Sequence, residues 1–414
     1  MATGELATAG KRQRRTQRFA LRREEIIVAA SRVINQTGAQ GLTFAAVAKP
    51  LGLDTSSIIY YFPTKDALTA ACMERTLTEL LAIAETAAAA ATPEERTRGL
   101  IHGYLKFHTR QRTGETPQFA VLSDMRALPD DMRESIDEQY LRLFRTVRGY
   151  FEAGQDEQSR VLAHMAAVLL LTNIHWMPGW VDAYDVADFP RVEHQLVRLL
   201  VSGLGTEIVS TQSLEETNAS EPAQAGFLKA ATRLINAHGY RGASVERIAA
   251  ELGLSTGTFY YHHDNKDDLV VACFERGFGA IREAGRLADD EPGSSGGRRL
   301  SQMVTQLVSL QFEPDSPVMR ISAYQALPAN LRDQMLLETA RITRHIAGLI
   351  SDGAEDGSLP VRDPMIAAQA VFAAVEAAAA MRWWQNRLGT GHQATSFLHL
   401  IAGGLSPGRG GPGE

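Results

Sequence analysis

Apolar positions recur along this chain with the period of a helix. They fall at Ile26, Ile27, Ala30, Val33 and Ile34, and the same face returns at Phe227, Leu228, Ala231, Leu234 and Ile235, the spacing of a helix with one buried stripe. Each run meets a glycine, Gly38 or Gly239, where a left-handed cap would end it. Thr43 and Ser244 then precede "FAAVAKPL" and "VERIAAEL" as N-caps whose hydroxyls can accept a backbone N–H. "LGLDT" and "LGLST" place Gly52 and Gly253 in the short connection of a helix-turn-helix, with Leu53 and Leu254 filling the angle between helices. A third helix is predicted from about Thr55 to Tyr61 and from about Thr256 to His262. Thr64 and Asn265 cap a fourth that opens with Lys65 and Lys266, and Asp268 completes a capping arrangement in the second copy. No period-two runs bounded by turn pairs stand out, so the chain reads as all-α.

The correspondence between the two stretches is a repeat. Ala29 to Arg75 lies over Ala230 to Arg276 without a gap, and 20 of those 47 positions are identical. The helical stretch ending at Gly154 matches the one ending at Gly353, now 199 positions later. A period near 200 residues is far beyond that of solenoids, so a whole domain was duplicated. The 414 residues suffice for two units with their own cores. The expected division is a basic disordered arm (1–20), a first head (21–75), a first helical body (76–204), a linker (205–224), a second head (225–276), a second body (277–405) and a disordered tail (406–414).

Composition changes this picture little. With 44% hydrophobic and 22% charged residues the chain is of ordinary globular type. Its longest apolar stretches are Ala-rich and interrupted by Glu, short of a bilayer span, and basic residues near the N-terminus lack the apolar run of a signal peptide; a cytoplasmic protein is expected. Cys72 and Cys273 occupy equivalent places and read as reduced core residues. The formal net charge of −6 hides "KRQRRTQR", with five cations from Lys11 to Arg18, whereas the approach to the second head, "SLEETNASEPAQ", is acidic and polar.

"LGLSTGTFYYHHDNKDDL" closely resembles, and "LGLDTSSIIYYFPTKDAL" resembles with substitutions, the head pattern of the TetR family of transcriptional regulators. The likeness covers about 50 residues at each head; the bodies agree in being helical and of suitable length. It implies an all-α chain of two tandem TetR-like units, each a helix-turn-helix head plus a helical ligand-binding and dimerisation body, arranged as an intramolecular pseudo-dimer. The partner implied is a double-stranded DNA operator, and the activity is sequence-specific transcriptional regulation, by family habit repression, without enzymatic chemistry, cofactor or metal.

Carried over by position, Thr55, Ser56 and Ser57 lead the first recognition helix into the major groove, with Ile59 where the family has tyrosine. Thr256, Gly257 and Thr258 lead the second, and Tyr260 keeps that tyrosine. Tyr60, Tyr61, Tyr261 and His262 would reach phosphates or thymine methyls. Thr43, Ser244, Lys65 and Lys266 match phosphate-contacting helix starts, where free N–H groups favour an anion, and Arg12, Arg14, Arg15 and Arg18 suit a minor-groove arm. Two departures stand out. Pro50 removes a backbone donor near the end of the second helix, so a short or kinked helix is expected there. His263 replaces the aromatic Phe62, so either it faces solvent or the second head packs differently.

The helices implied as the joining surface are "VLAHMAAVLLLTNIHW" with "VEHQLVRLLVSGL", and "MIAAQAVFAAVEAAAAMRWW" with "TSFLHLIAGGL". Phe107, His108, Phe119, Met125 and Tyr140 could line a pocket, although helical spacing predicts the same residues in a core. Trp176, Trp180 and Trp384 belong to the same candidate set, and "NIHWMPGWVDAY" loosely resembles a segment of members that sense acyl thioesters, so a small apolar or acyl-type effector is the ligand class implied. Two unlike heads on one chain point to an asymmetric operator read by a monomer, with side-to-side dimerisation left open. The rival reading is a sensing or protein-interaction module in which only one head binds DNA.

Overall fold

The computed structural model describes residues 2–39, 41–122, 125, 128–152, 154, 156–209, 222–313, 315–320, 327, 329–382 and 393–405, all helix, turn or coil. The first unit comprises α1 (Ala2–Thr37), α2 (Phe44–Leu51), α3 (Thr55–Tyr61), α4 (Lys65–Ala88), α5 (Pro93–Arg112), α6 (Asp130–Arg148), α7 (Glu157–Trp176) and α8 (Phe189–Ser202). The second repeats the series as α9 (Pro222–Gly242), α10 (Val245–Glu251), α11 (Thr256–His262), α12 (Lys266–Asp289), α13 (Gly296–Phe312), α14 (Ala329–Glu355), α15 (Pro364–Arg382) and α16 (Gln393–Gly403). Residues 2–20, expected as a disordered arm, are helical and continuous with the first head helix.

The heads form where their caps predict. Thr43 Oγ1 accepts from Ala46 N at 3.1 Å and Ser244 Oγ from Arg247 N at 3.2 Å, starting α2 and α10. Gly52 (φ 62°) and Gly253 (φ 66°) make the turn in the left-handed region that side chains rarely adopt. Pro50 sits in the last turn of the eight-residue α2, which is short as expected and forfeits the single bond that residue's N–H would have made. Gly38 (φ 74°) ends α1, and Gly239 (φ 73°) breaks α9 at the matching place. Cys72 and Cys273 are free, buried thiols facing the carbonyls of Ile27 and Leu228, each at 3.6 Å, and burial pushes them up to about 12 and about 11.

The two units are joined by the helix pairs that the sequence singled out: α7 and α8 pack against α15 and α16. The apolar length of α7 and α15 is spent here, since both are mostly buried between the units. Trp176 Nε1 donates to Gln369 Oε1 at 2.9 Å and its ring lies 5.1 Å from Phe372. At the bottom the contact is reciprocal. Leu204 N donates to Ile401 O at 3.1 Å and Leu405 N to Leu200 O at 2.7 Å. Gly203 and Gly404 cross there at positive φ, and a Cβ on either would lie 2.3 Å from a carbonyl oxygen of the other unit, Ala402 or Val201. One surface meeting its own duplicate is an isologous, dimer-type contact made within one chain.

Candidate nucleic-acid interface

Among the described side chains, each recognition helix buries one residue fully and leaves most of the others exposed. In α3, Ile58 is fully buried while Tyr60 is 74% exposed; in α11, Phe259 is buried and Tyr261 is 84% exposed. Thr55, Ser56, Thr256 and Gly257 are exposed at the helix starts, with Ser57 and Thr258 half-buried one residue on. Ile59 and Tyr260 share the exposed face with the tyrosines. Short side chains leading and aromatic ones following suit a helix laid end-first in a major groove. Ser255 caps α11, accepting from Thr258 N at 3.2 Å, whereas Asp54 makes no such bond to α3. Thr64 and Asn265 accept from Ala67 N and Asp268 N, starting α4 and α12 with Lys65 and Lys266 at the first position.

The two heads then diverge. Phe19 of α1 lies 4.7 Å from the ring of Tyr61 and 6.0 Å from Tyr60, an aromatic brace that sequence reasoning missed. Lys65 is exposed, but Lys266 is half-buried. Its ammonium lies 4.0 Å from the Tyr240 ring centroid and donates to the Tyr240 carbonyl, while the Tyr240 hydroxyl donates to Asp267. The matching residue in the first head is Ala39, so this difference was legible in the sequence. Formal charge diverges as well: residues 21–75 hold six cations and five anions and follow the basic arm, whereas residues 225–276 hold six of each. His262 and the arm residues Arg12, Arg14 and Arg15 have side chains outside the described residues.

His263 is buried rather than turned to solvent: it lies between Phe227 and Phe259, with centroids at 6.2 and 5.6 Å. Those phenylalanines replace Ile26 and Ile58, so the second head packs differently, spending aromatic volume where the first spends aliphatic.

Beneath the first head a cavity of about 400 Å³ opens between α1, α4, α5 and α7. Phe107 and Phe119 line it, with Tyr104, Leu122 and Ile174. His108 Nε2 meets Asp182 Oδ1 at 2.9 Å at its rim, with Arg112 3.9 Å from the same oxygen. His175 also lines it; its Nε2 is buried without a partner, and burial holds the imidazole neutral with its pKa lowered to about 4. Tyr140 stacks behind His175 at 5.8 Å, and Met125 is half-buried against the body core. Trp176 serves the joint between units, Trp180 packs on Tyr184, and neither lines the cavity; Trp384 lies outside the described residues. The cavity touches the head directly: Asn35 Nδ2 donates to Phe119 O at 2.8 Å, and Asn35 Oδ1 accepts from Val121 N at 2.9 Å. Asn236 repeats both bonds with Val318 O and Arg320 N.

The heads match the model of bacterial regulatory proteins of the tetR family over residues 26–72 and 227–273, and the bodies match that of the tetracyclin repressor-like C-terminal domain over residues 90–204 and 293–389. Among curated relatives, the fatty acid metabolism regulator protein of Bacillus subtilis (strain 168) is 23% identical over 154 residues, 36% of this chain and 78% of its own length. The HTH-type transcriptional regulator BetI of Burkholderia thailandensis is 35% identical over 83 residues, 20% of this chain, which spans less than half (43%) of that relative. Among solved structures, the fatty acid degradation regulator FadR of Bacillus halodurans is 20% identical, with 45% of this chain and 98% of its own covered at a TM-score of 0.38. AibR, solved with isovaleryl coenzyme A and operator DNA, is 19% identical, with 44% and 98% covered at a TM-score of 0.37. Both family models match twice, in tandem and over most of the chain: the protein belongs to the tetR family of bacterial regulatory proteins, as a non-enzymatic DNA-binding transcriptional regulator with two complete units in one polypeptide.

Proposed function

We propose that this regulator reads an asymmetric operator, one half-site with each head, and represses until a small apolar or acyl-type molecule enters the body. The observation that carries the reading is the pair of unlike recognition helices. Thr55, Ser56 and Ile59 are exposed on one with Ser57 half-buried, and Thr256, Gly257 and Tyr260 on the other with Thr258 half-buried. Two identical heads favour a palindrome; two different base-reading sets on one chain favour two different half-sites. The reciprocal contact at Gly203 and Gly404 supports delivery of both heads by a single chain, which makes the second half-site contact intramolecular. Effector release would require the ligand to bind two head arrangements unequally, a coupling of about 1 to 3 kcal/mol.

Selection of bound DNA from a random pool at physiological salt, with the mass of the recovered complex, tests this. One chain on a site with two unlike halves is the expected result; two chains on a perfect inverted repeat would overturn it. A second reading, in which the first head alone holds DNA, draws on the engaged Lys266 and the balanced charge of the second head. Paired substitutions separate the two: Tyr60→Ala with Lys65→Ala, and Tyr261→Ala with Lys266→Ala, should each weaken binding by roughly 30-fold, about 2 kcal/mol, if both heads read DNA, whereas indifference to the second pair would favour the first head alone.

A further inference from the structure

The duplicated bodies keep their helices but not the chemistry of their interiors. In the first, the cavity wall is aromatic: Tyr104 and Phe107 of α5 and Phe119 of the following loop. The charged groups at its rim already have partners, His108 and Arg112 on Asp182, with Arg112 Nη1 also donating to Tyr184 O at 2.7 Å. The unpartnered buried polar group is a neutral ring nitrogen, His175 Nε2. Such a site welcomes an apolar body with at most one hydrogen-bonding group and offers no unpaired cation to a buried anion.

The second body offers a different wall. Its counterpart of α5, the helix α13, has no histidine and no aromatic residue before Phe312. Where the first wall has Tyr104, Phe107 and His108, counting from the capped start of each helix, the second has Leu307, Leu310 and Gln311. The floor is closer too. Thr76, which donates to Ala120 O at 2.8 Å, is replaced by Gly277, where a Cβ would lie 2.9 Å from Pro317 O and 3.4 Å from Val318 Cα. The second loop therefore rests directly on the α12 backbone.

We infer that the two bodies no longer accept the same molecule: the first takes one uncharged, largely aromatic or alkyl small molecule per chain, directly beneath the first head, and the second does not take it. This deepens, and rests on, the reading that a small molecule controls the heads. The site is also placed to act on one head. Asn35 and Gln36 of α1 line the cavity, and Gln36 O accepts from Arg332 Nη2 of the second body at 2.6 Å.

The test is a titration of the full chain, without DNA, with the neutral dye Nile red. One site per chain is expected, lost at least tenfold in Leu122→Trp, which fills the cavity from the loop, and in His175→Phe, which fills it from α7. Circular dichroism identifies either variant should it fail to fold, leaving the other to decide. Gln306→Leu, in the second body, should leave dye affinity within about twofold. The anionic dye anilinonaphthalene sulfonate should bind at least tenfold more weakly than Nile red. Two equivalent sites, binding that survives both filled variants, or preference for the anionic dye would overturn the inference. A chain that selects an asymmetric operator yet binds two dye molecules equally loses this inference and keeps the regulatory reading. A chain that binds one dye at this site with no effect on DNA retention keeps the site and loses the effector.

Discussion

The first head keeps an apolar core of its own, Ile26, Ile34, Val47, Ile58, Phe62 and Leu68 among others, separate from the core of its body. The second head does not: Phe227, Phe259 and Phe274 run on without a break into the body core and across to the other unit. The same hydrogen-bonded frame supports both. Asn35 and Asn236 make the same two bonds to the loop below, Thr43 and Ser244 cap the same helix, and the two thiols face the same carbonyl. What changed is side-chain volume at the junction. Ile26 and Ile58 became Phe227 and Phe259, Met73 became Phe274, and Thr76 became Gly277, so the second loop comes down onto the helix backbone at Gly277 where the first lies over Thr76 beside a cavity. Backbone polar groups must be paired in either copy and tolerate little drift, whereas apolar volume can be redistributed if the total fits.

The strongest test of the shared part lies where the units cross. Gly203→Ala forces a Cβ toward Ala402 O and strains a residue at φ 71°, and Gly404→Ala does the same toward Val201 O. Each should cost about 3 kcal/mol or more, read as a fall in the urea midpoint, and the two losses should agree within about 1 kcal/mol because the contact is reciprocal. A tolerated alanine at one site and not the other would show that the units do not meet symmetrically.

The unshared part is tested by Asn35→Ala and Asn236→Ala. Each strands a carbonyl and an N–H of the loop, at about 2 kcal/mol. Their local effects should differ. Hydrogen exchange should quicken across residues 26–72 in the first variant, since that head has a core of its own to lose contact with. Across residues 227–273 in the second variant it should stay near the parent rate. Equal loosening of both heads would break the comparison.

Much of this was legible beforehand because it depends on local chemistry. Caps, turn glycines and the 3.6-residue stripe are each set by a few neighbouring residues, so the two heads could be read directly, while the joining helix pairs came from the family resemblance. What escaped depends on contacts distant in the chain. The brace from Phe19 onto Tyr61 needs α1 to extend past residue 20, where a run of arginines and polar residues reads as an arm. Trp176 is equally suited to a ligand wall and to a helix joint, and its bond to Gln369, 193 positions away, decides between them. His263 could be placed only once Phe227 and Phe259 were known to surround it. Cavities are the hardest case, since the same Phe107 and Phe119 would fill a core if the opposing loop came closer, as it does over Gly277.

The smallest expected effect concerns the lysines that begin α4 and α12. Tyr240 draws Lys266 back onto its ring and carbonyl; Ala39 has the carbonyl but no ring, and Lys65 is exposed. Tyr240→Ala should therefore give the second head the first head's arrangement, with Lys266 extended from a helix start whose free N–H groups already favour a phosphate. One added phosphate contact steepens the dependence of log affinity on log salt by about 0.9, and binding at low salt should tighten by about two- to threefold. The slope is the decisive readout, because loss of the Tyr240 packing could weaken the head and mask a change in affinity. An unchanged slope would mean that Lys266 already reaches the phosphate from its place on Tyr240, so that the aromatic positions the lysine rather than withholding it and the two heads are more alike at the DNA than their unbound surfaces are.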